Sequence, residues 1–160
     1  NKFQFTETFE LNYPAKKLDQ VPMDELVSSI AQCINKVSPT IIYLPNPTDS
    51  HTDHQVAFNA GHSCTKSFRF PFVKKVLVYE TLSETEFSPN IGNIPFSPNV
   101  FIDISDYLEE KLEILDIYAN QLGNHPFPRS IENIKALATL RGATSNCHYA
   151  EGFYLVKSIE

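Results

Sequence analysis

The sequence predicts an α/β fold with a mostly parallel sheet, and three observations carry that reading. Two short runs read as strands: Thr40–Leu44, all β-branched, aromatic or aliphatic, and Val73–Tyr79, buried, with Val76-Leu77-Val78 at its centre. Stretches with apolar residues at helical spacing precede and separate them. A helix packed between two strands is the signature of a parallel α/β sheet.

Each element has a local reason. Phe3, Phe5 and Phe9 fall on odd positions between mostly polar residues, a period of two that predicts a strand with one buried face. Leu11 to Gln20 contains Pro14, lacks a period and reads as a loop. Pro22 and Asp24 suit the first turn and the positive end of a helix. Leu26, Val27, Ile30, Cys33, Ile34 and Val37 then make one apolar face before Pro39 ends it. After the first strand, a helix is predicted from Thr52 or Asp53 to about Lys66, its small face made by Val56, Ala57 and Ala60 and weakened by Gly61.

Phe68 to Phe72 is an aromatic loop, and Glu80 to Pro98, with three prolines, is a long loop of the kind that borders sites. Val100-Phe101-Ile102 is a short apolar segment. Asp103 or Ser105 is expected to cap a helix through Leu108, Leu112, Leu115, Ala119 and Leu122, with Gly123 as its C-cap. Ser130 caps a last helix through Ile131, Ile134, Leu137 and Leu140 that is expected to end at Gly142, and a strand closes the chain at Phe153 to Val156. There is no internal repeat and no long linker, so residues 1–160 read as a single domain.

At 160 residues the chain can bury a real core, and 42% hydrophobic with 20% charged residues is ordinary globular usage. A net charge of -6 argues against a nucleic-acid partner, which needs a basic surface. No apolar run approaches the roughly 20 residues of a membrane helix, and the start does not read as a signal peptide. Cys33, Cys64 and Cys147 are widely spaced, which disfavours a disulfide scaffold or a thiolate zinc site and fits reduced thiols in a cytoplasmic protein.

The strand pattern starts late for a doubly wound sheet, on a strand without an opening β-loop-helix unit. A parallel sheet lacking a central strand exposes an apolar edge. Either the fold is smaller than a full doubly wound sheet, or residues that belong before position 1 are not in this chain.

Asp49, His51, Asp53 and His54 cluster where the first strand runs into a helix, and ligands bind at the carboxyl ends of strands in open α/β sheets. His51 and His54, three apart, fall on one helix face. Asp53 is near enough in sequence to accept from an imidazole N–H and fix its tautomer. Against this stands a plainer arrangement, with Asp49 capping the helix and the histidines facing solvent. A zinc site needs at least three protein ligands, and this segment supplies one or two. His62 and Cys64 point to different helix faces, and His125 and His148 read as surface or packing residues.

Asp49-Ser50-His51-Thr52-Asp53-His54 resembles the second signature, Asp-x-His-Pro-Asp-His, of the PIG-L/LmbE-like zinc-dependent N-deacetylases. The resemblance extends to the helix and apolar strand ending in Pro45, and to Pro98-Asn99-Val100-Phe101-Ile102-Asp103-Ile104-Ser105. It continues through His125 to Ser130, Arg141-Gly142 and Tyr149-Ala150-Glu151-Gly152-Phe153. It implies a Rossmann-like three-layer sandwich that hydrolyses the N-acetyl group of an N-acetylglucosamine-type sugar or conjugate. By match of position, His54 would bind Zn2+ (or another divalent metal). His51 would stabilise the oxyanion and help protonate the leaving amine, and Asp53 would hold His51 in its tautomer and raise its pKa. Asp49, Arg129 and Tyr149 are candidate substrate-binding residues, with a helix-end or packing role as the alternative for the last two.

Two departures stand out. Thr52 replaces the signature proline, at small local cost. The family's first signature, Ala-His-Pro-Asp-Asp-Glu, has no counterpart here, so the resemblance covers the C-terminal two-thirds of the family domain and the chain alone is expected to be inactive. The alternatives are a non-catalytic sugar-binding or truncated module lacking the zinc half, and another metal hydrolase using the same four residues. The partner implied is a small N-acetylated sugar, with no nucleic acid and no membrane span; a homo-oligomer stays open.

Overall fold

The structure, a computed structural model, describes residues 3–89 and 95–160. The chain divides into two compact units: a larger one of Phe9–Ser97 with Phe153–Glu160, and a smaller one of Asn1–Thr8 with Pro98–Gly152.

In the larger unit a 3-10 turn at Leu18–Gln20 precedes helix α1, Met23–Val37. Ser38, in the left-handed region (φ 51°), closes α1 by donating its N–H to Ile34 O at 2.7 Å, and Pro39 prevents continuation. Strand β1 is Ile41–Pro45, helix α2 is Thr52–Ser63 and strand β2 is Lys75–Tyr79. α2 ends earlier than expected because the Ser63 and Thr65 hydroxyls take the carbonyls of Asn59 and His62, which competes with continued helix. β1 and β2 pair in parallel, Ile41 opposite Lys75 through Pro45 opposite Tyr79, as a helical crossover requires.

The core lies against this pair. Leu44, Cys64, Phe70, Val73, Val76 and Val78 are buried together, with Val27, Ile30, Ala31 and Ile34 of α1 and Phe58 of α2 packed on them. Each fully buried valine here contributes about 1.5–3 kcal/mol of transfer free energy. The helical spacing of α1 therefore does what the sequence predicts: it covers the strands.

The smaller unit holds strand β3, Val100–Asp103, helix α3, Leu108–Leu115, a 3-10 continuation at Asp116–Gln121, and helix α4, Ile131–Ser145. Strand β4, Ala150–Ser158, starts in it and continues in the larger unit. α3 starts later than predicted, with Tyr107 at its cap position and no side-chain cap bond. Asp103 instead caps a local turn, accepting from Ser105 N at 2.8 Å. α3 also ends sooner. Asp116 and Asn120 are poor interior helix residues, and Tyr118 leaves helical angles altogether. Ser130 does cap α4, accepting from Asn133 N at 3.2 Å.

Gly142 is not the end of α4. The helix runs to Ser145 and closes on left-handed Asn146 (φ 61°). Gly142 is glycine because a Cβ there would sit 2.6–2.7 Å from the backbone of Cys147 and His148.

Two further expectations are corrected. The strand predicted over Phe3–Phe9 is absent among the described residues, because Gln4 takes a positive φ of 52° that breaks the extended path; Phe3 stacks on Phe5 instead. The sheet has four strands in the order β1-β2-β4-β3 and is mixed rather than mostly parallel, since β4 runs antiparallel to β2 from Phe153 opposite Tyr79 to Ser158 opposite Lys75. An apolar strand pattern encodes burial, not direction. Of the loop predicted from Glu80 to Pro98, residues 90–94 lie outside the described residues. No helix among the described residues is long and apolar enough to cross a membrane.

Candidate active site

The four clustered residues lie where β1 passes into α2. Gly61 lets α2 lie close on β1, since a Cβ there would stand 2.6 Å from Leu44 Cδ2. The turn between them is closed by Asp49 N donating to Asn46 O at 3.2 Å. Asn46 and Asp49 are both buried, Asp49 with no exposure at all. The first turn of α2 thus follows the buried carboxyl end of β1, Leu44 and Pro45.

Asp49 is the hub. Its Oδ1 accepts from Asn46 Nδ2 at 2.9 Å and from Thr85 Oγ1 at 2.7 Å. Its Oδ2 lies 2.8 Å from His54 Nδ1. Both oxygens of this carboxyl have partners within the protein, His54 among them. The Asp49 backbone carbonyl also accepts from Gln55 Nε2 at 2.8 Å.

His51 is the N-cap of α2, its Nδ1 accepting from Asp53 N at 3.1 Å. In the neutral ring that acceptor role places the proton on Nε2. The His51 and His54 rings stack with centroids 5.2 Å apart. The Asp53 carboxylate, expected on His51, accepts instead from the backbone of Lys16 and, at 3.1 Å, of Leu18. Asp53 meets His51 through its own N–H, and its carboxylate ties the approach to α1 onto the start of α2.

The loop after β2 is sewn to this turn. Thr85 reaches Asp49 as described, Ser88 Oγ donates to Thr48 O, and Ser50 donates both its N–H to Glu84 O at 3.2 Å and its hydroxyl to Glu84 Oε2 at 2.7 Å. Tyr79, the last residue of β2, stands opposite Pro45 in the parallel register. Partial removal of water from its phenol, reinforced by the negative charge of Asp49, pushes its pKa above the ordinary 10.0. The sequence singled out neither Thr85 nor Tyr79. Thr85 lies 36 residues from Asp49 in an aperiodic segment that carries no signal of the contact.

Arg129 and Tyr149 belong to the smaller unit. Arg129 Nε donates to Gln121 O at 2.8 Å and its guanidinium lies over the Phe127 ring, 5.3 Å from the centroid. The Tyr149 backbone donates to Ser105 Oγ at 3.3 Å and accepts from Ile104 N at 2.9 Å, which ties it to the turn after β3. His62, exposed, stacks on Phe58, and burial pushes the Cys64 thiol above its ordinary range.

The donor set does not by itself fit a zinc ion. With Nδ1 turned to Asp49, His54 offers Nε2 alone, and no group of three His, Cys, Asp or Glu side chains placed to hold a metal occurs among the described residues. Three protein ligands are the minimum.

Against known proteins, the family PIG-L, GlcNAc-PI de-N-acetylase, matches residues 1–65. Diacetylchitobiose deacetylase of Thermococcus kodakarensis is 25% identical over 138 residues, 84% of this chain and 52% of that protein. Among solved structures, the conserved protein TT1542 from Thermus thermophilus superposes with a TM-score of 0.71 at 22% identity, over 94% of this chain and 66% of that one. The N,N'-diacetylchitobiose deacetylase from Pyrococcus horikoshii gives 0.65 at 18% identity, over 92% and 56%. GalB, a 4-carboxy-2-hydroxymuconate hydratase from Pseudomonas putida, also gives 0.65, at 18% identity over 86% and 60%. The chain spans about half the length of the curated relative it matches. The class these findings define is a mixed α/β domain with the fold of these proteins. Over residues 1–65 the chain is similar to the PIG-L, GlcNAc-PI de-N-acetylase, family, and over most of its length it is similar to a deacetylase.

Proposed function

We propose that this chain carries the histidine half of an N-deacetylase site that hydrolyses the N-acetyl group of an N-acetylglucosamine-type sugar or conjugate. The carrying observation is the pair of stacked imidazoles at the β1–α2 junction, one oriented by a buried carboxylate and the other by the helix backbone. The family match over residues 1–65 and the similarity to a diacetylchitobiose deacetylase support the reaction type.

Hydrolysis of such an amide joins water to the carbonyl, passes through a tetrahedral oxyanion and releases acetate and an amine. His51, with Nδ1 taken by the Asp53 N–H, has its Nε2–H to donate to the oxyanion and then to the departing nitrogen, a poor leaving group that needs that proton. His54 Nε2 is the atom assigned to a metal ligand. The described residues do not complete such a site. The 160-residue chain alone is accordingly expected to be inactive. Arg129 and Tyr149 remain proposals for substrate contact.

The test is release of acetate from N-acetylglucosamine-type substrates by the full-length protein. His51→Ala should lower turnover about 100-fold or more, the usual loss for an oxyanion donor. Near-normal turnover in that variant would sink the assignment. A sugar-binding module without chemistry, favoured by the incomplete donor set, predicts substrate binding with no acetate from either protein. Because a hydratase shares the fold, the product must be identified and not only the loss of substrate.

A further inference from the structure

We propose that Thr85 is a positioning residue of this site: acting through Asp49, its hydroxyl holds the His54 ring with the proton on Nδ1 and the lone pair on Nε2. The functional meaning rests on the deacetylase reading; the structural claim does not.

The argument is one of direction along a chain of hydrogen bonds. Thr85 Oγ1 accepts from Thr81 N at 2.8 Å, so its own proton is left to donate to Asp49 Oδ1 at 2.7 Å. Asn46 Nδ2 donates to the same oxygen at 2.9 Å. Two donors on Oδ1 leave Oδ2 to meet His54 Nδ1 at 2.8 Å, and a carboxylate is an acceptor only. Asp49 has no exposure, so no bulk water competes with these partners. Buried polar chains of this kind polarise one another, and removal of one donor is felt at the far end.

The same loop has two other anchors, Ser88 to Thr48 O and Glu84 to Ser50, and neither bond touches Asp49. They separate the effect of holding the loop from the effect of the hydroxyl. Thr85→Val keeps the shape and removes only the donor; Thr85→Ser keeps the donor.

The tautomer is read by long-range proton–nitrogen NMR on the labelled protein, in metal-free buffer at a pH of about 8, where an ordinary imidazole is neutral. The wild type should favour the Nδ1-protonated ring of His54 by about tenfold or more, and Thr85→Val should shrink that preference roughly five- to tenfold, the scale of one hydrogen bond. Thr85→Ser should restore it, and Ser88→Ala should leave it unchanged. The proposal is overturned by a wild-type ring protonated on Nε2, by an unchanged ratio in Thr85→Val, or by an equal loss in Ser88→Ala. If Thr85→Val does not fold, Thr85→Ala, which also removes the donor, is read in its place against Ser88→Ala. No substrate enters the experiment, so its failure leaves the acetate-release test standing, and the reverse holds too.

Discussion

Two strands of this chain run into an aspartate, and the two aspartates are used in opposite ways. After β1, Asp49 is fully buried, gathers Asn46 and Thr85 on one oxygen and turns the other to an imidazole. At the end of β3, Asp103 is exposed and turns back on its own chain, taking the N–H and the hydroxyl of Ser105. Both precede a helix, and both sit beside histidine in space or charge: His54 for Asp49, His148 for Asp103. What separates a candidate active centre from a turn is therefore neither residue type nor position near a strand end. It is burial, which makes each bond of Asp49 obligatory, together with a loop 36 residues away that supplies one of them.

The sharpest way to break the comparison is to delete each carboxyl. Asp49→Ala leaves the donors of Asn46, Thr85 and His54 facing a buried gap, and urea unfolding should report a loss of about 3–5 kcal/mol. Asp103→Ala exposes its partners to water and should cost far less. Equal losses would mean that burial is not what distinguishes them.

The glycines of the two units give a smaller contrast. Gly142→Ala drives a Cβ into the backbone carbonyls of Cys147 and His148 and should destabilise by about 1–3 kcal/mol in a thermal melt. Gly61→Ala meets only the end of the Leu44 side chain and gains up to about 1 kcal/mol of helix propensity, so its net change should be the lesser.

Much of this frame could be read from the sequence. The apolar face of α1, the Ser130 cap and the two parallel strands follow from periodicity and end signals, which are local. The clustering of Asp49, His51, Asp53 and His54 was visible because all four lie within six residues. Their wiring was not: which carboxylate faces which imidazole depends on the φ and ψ of the turn, and Thr85 reaches Asp49 only because the loop after β2 folds back. The direction of β4 and the loss of the strand at Phe3–Phe9 were hidden for related reasons. Strand pairing is set by partners far along the chain, and one left-handed residue, Gln4, undoes a period of two.

Acidity offers a finer measure. The Ser105 hydroxyl, then its N–H, with smaller help from Cys147 and the charge of His148, hold Asp103 below its ordinary 3.8. A depressed carboxyl stabilises the fold above its unfolded pKa, and that contribution is lost as the pH falls through the folded value. Ser105→Ala should therefore move the NMR titration of Asp103 up toward 3.8 and flatten that part of the acid-stability profile. The faintest contrast is in thiol reactivity. Cys64, buried with its thiol pushed up, should be the last cysteine alkylated in the native chain, after half-buried Cys147.

The stitching of the 80–89 segment to the Asn46–Ser50 turn also limits how this protein can change. A surface loop normally drifts in length and composition without disturbing chemistry elsewhere. Here Thr85, Glu84 and Ser88 are all committed to the floor beneath the imidazoles, so an insertion or a graft in that segment would alter the pose of His54 along with whatever new surface it created. Change in the surface around the imidazoles is tolerated more readily in other segments than in this one.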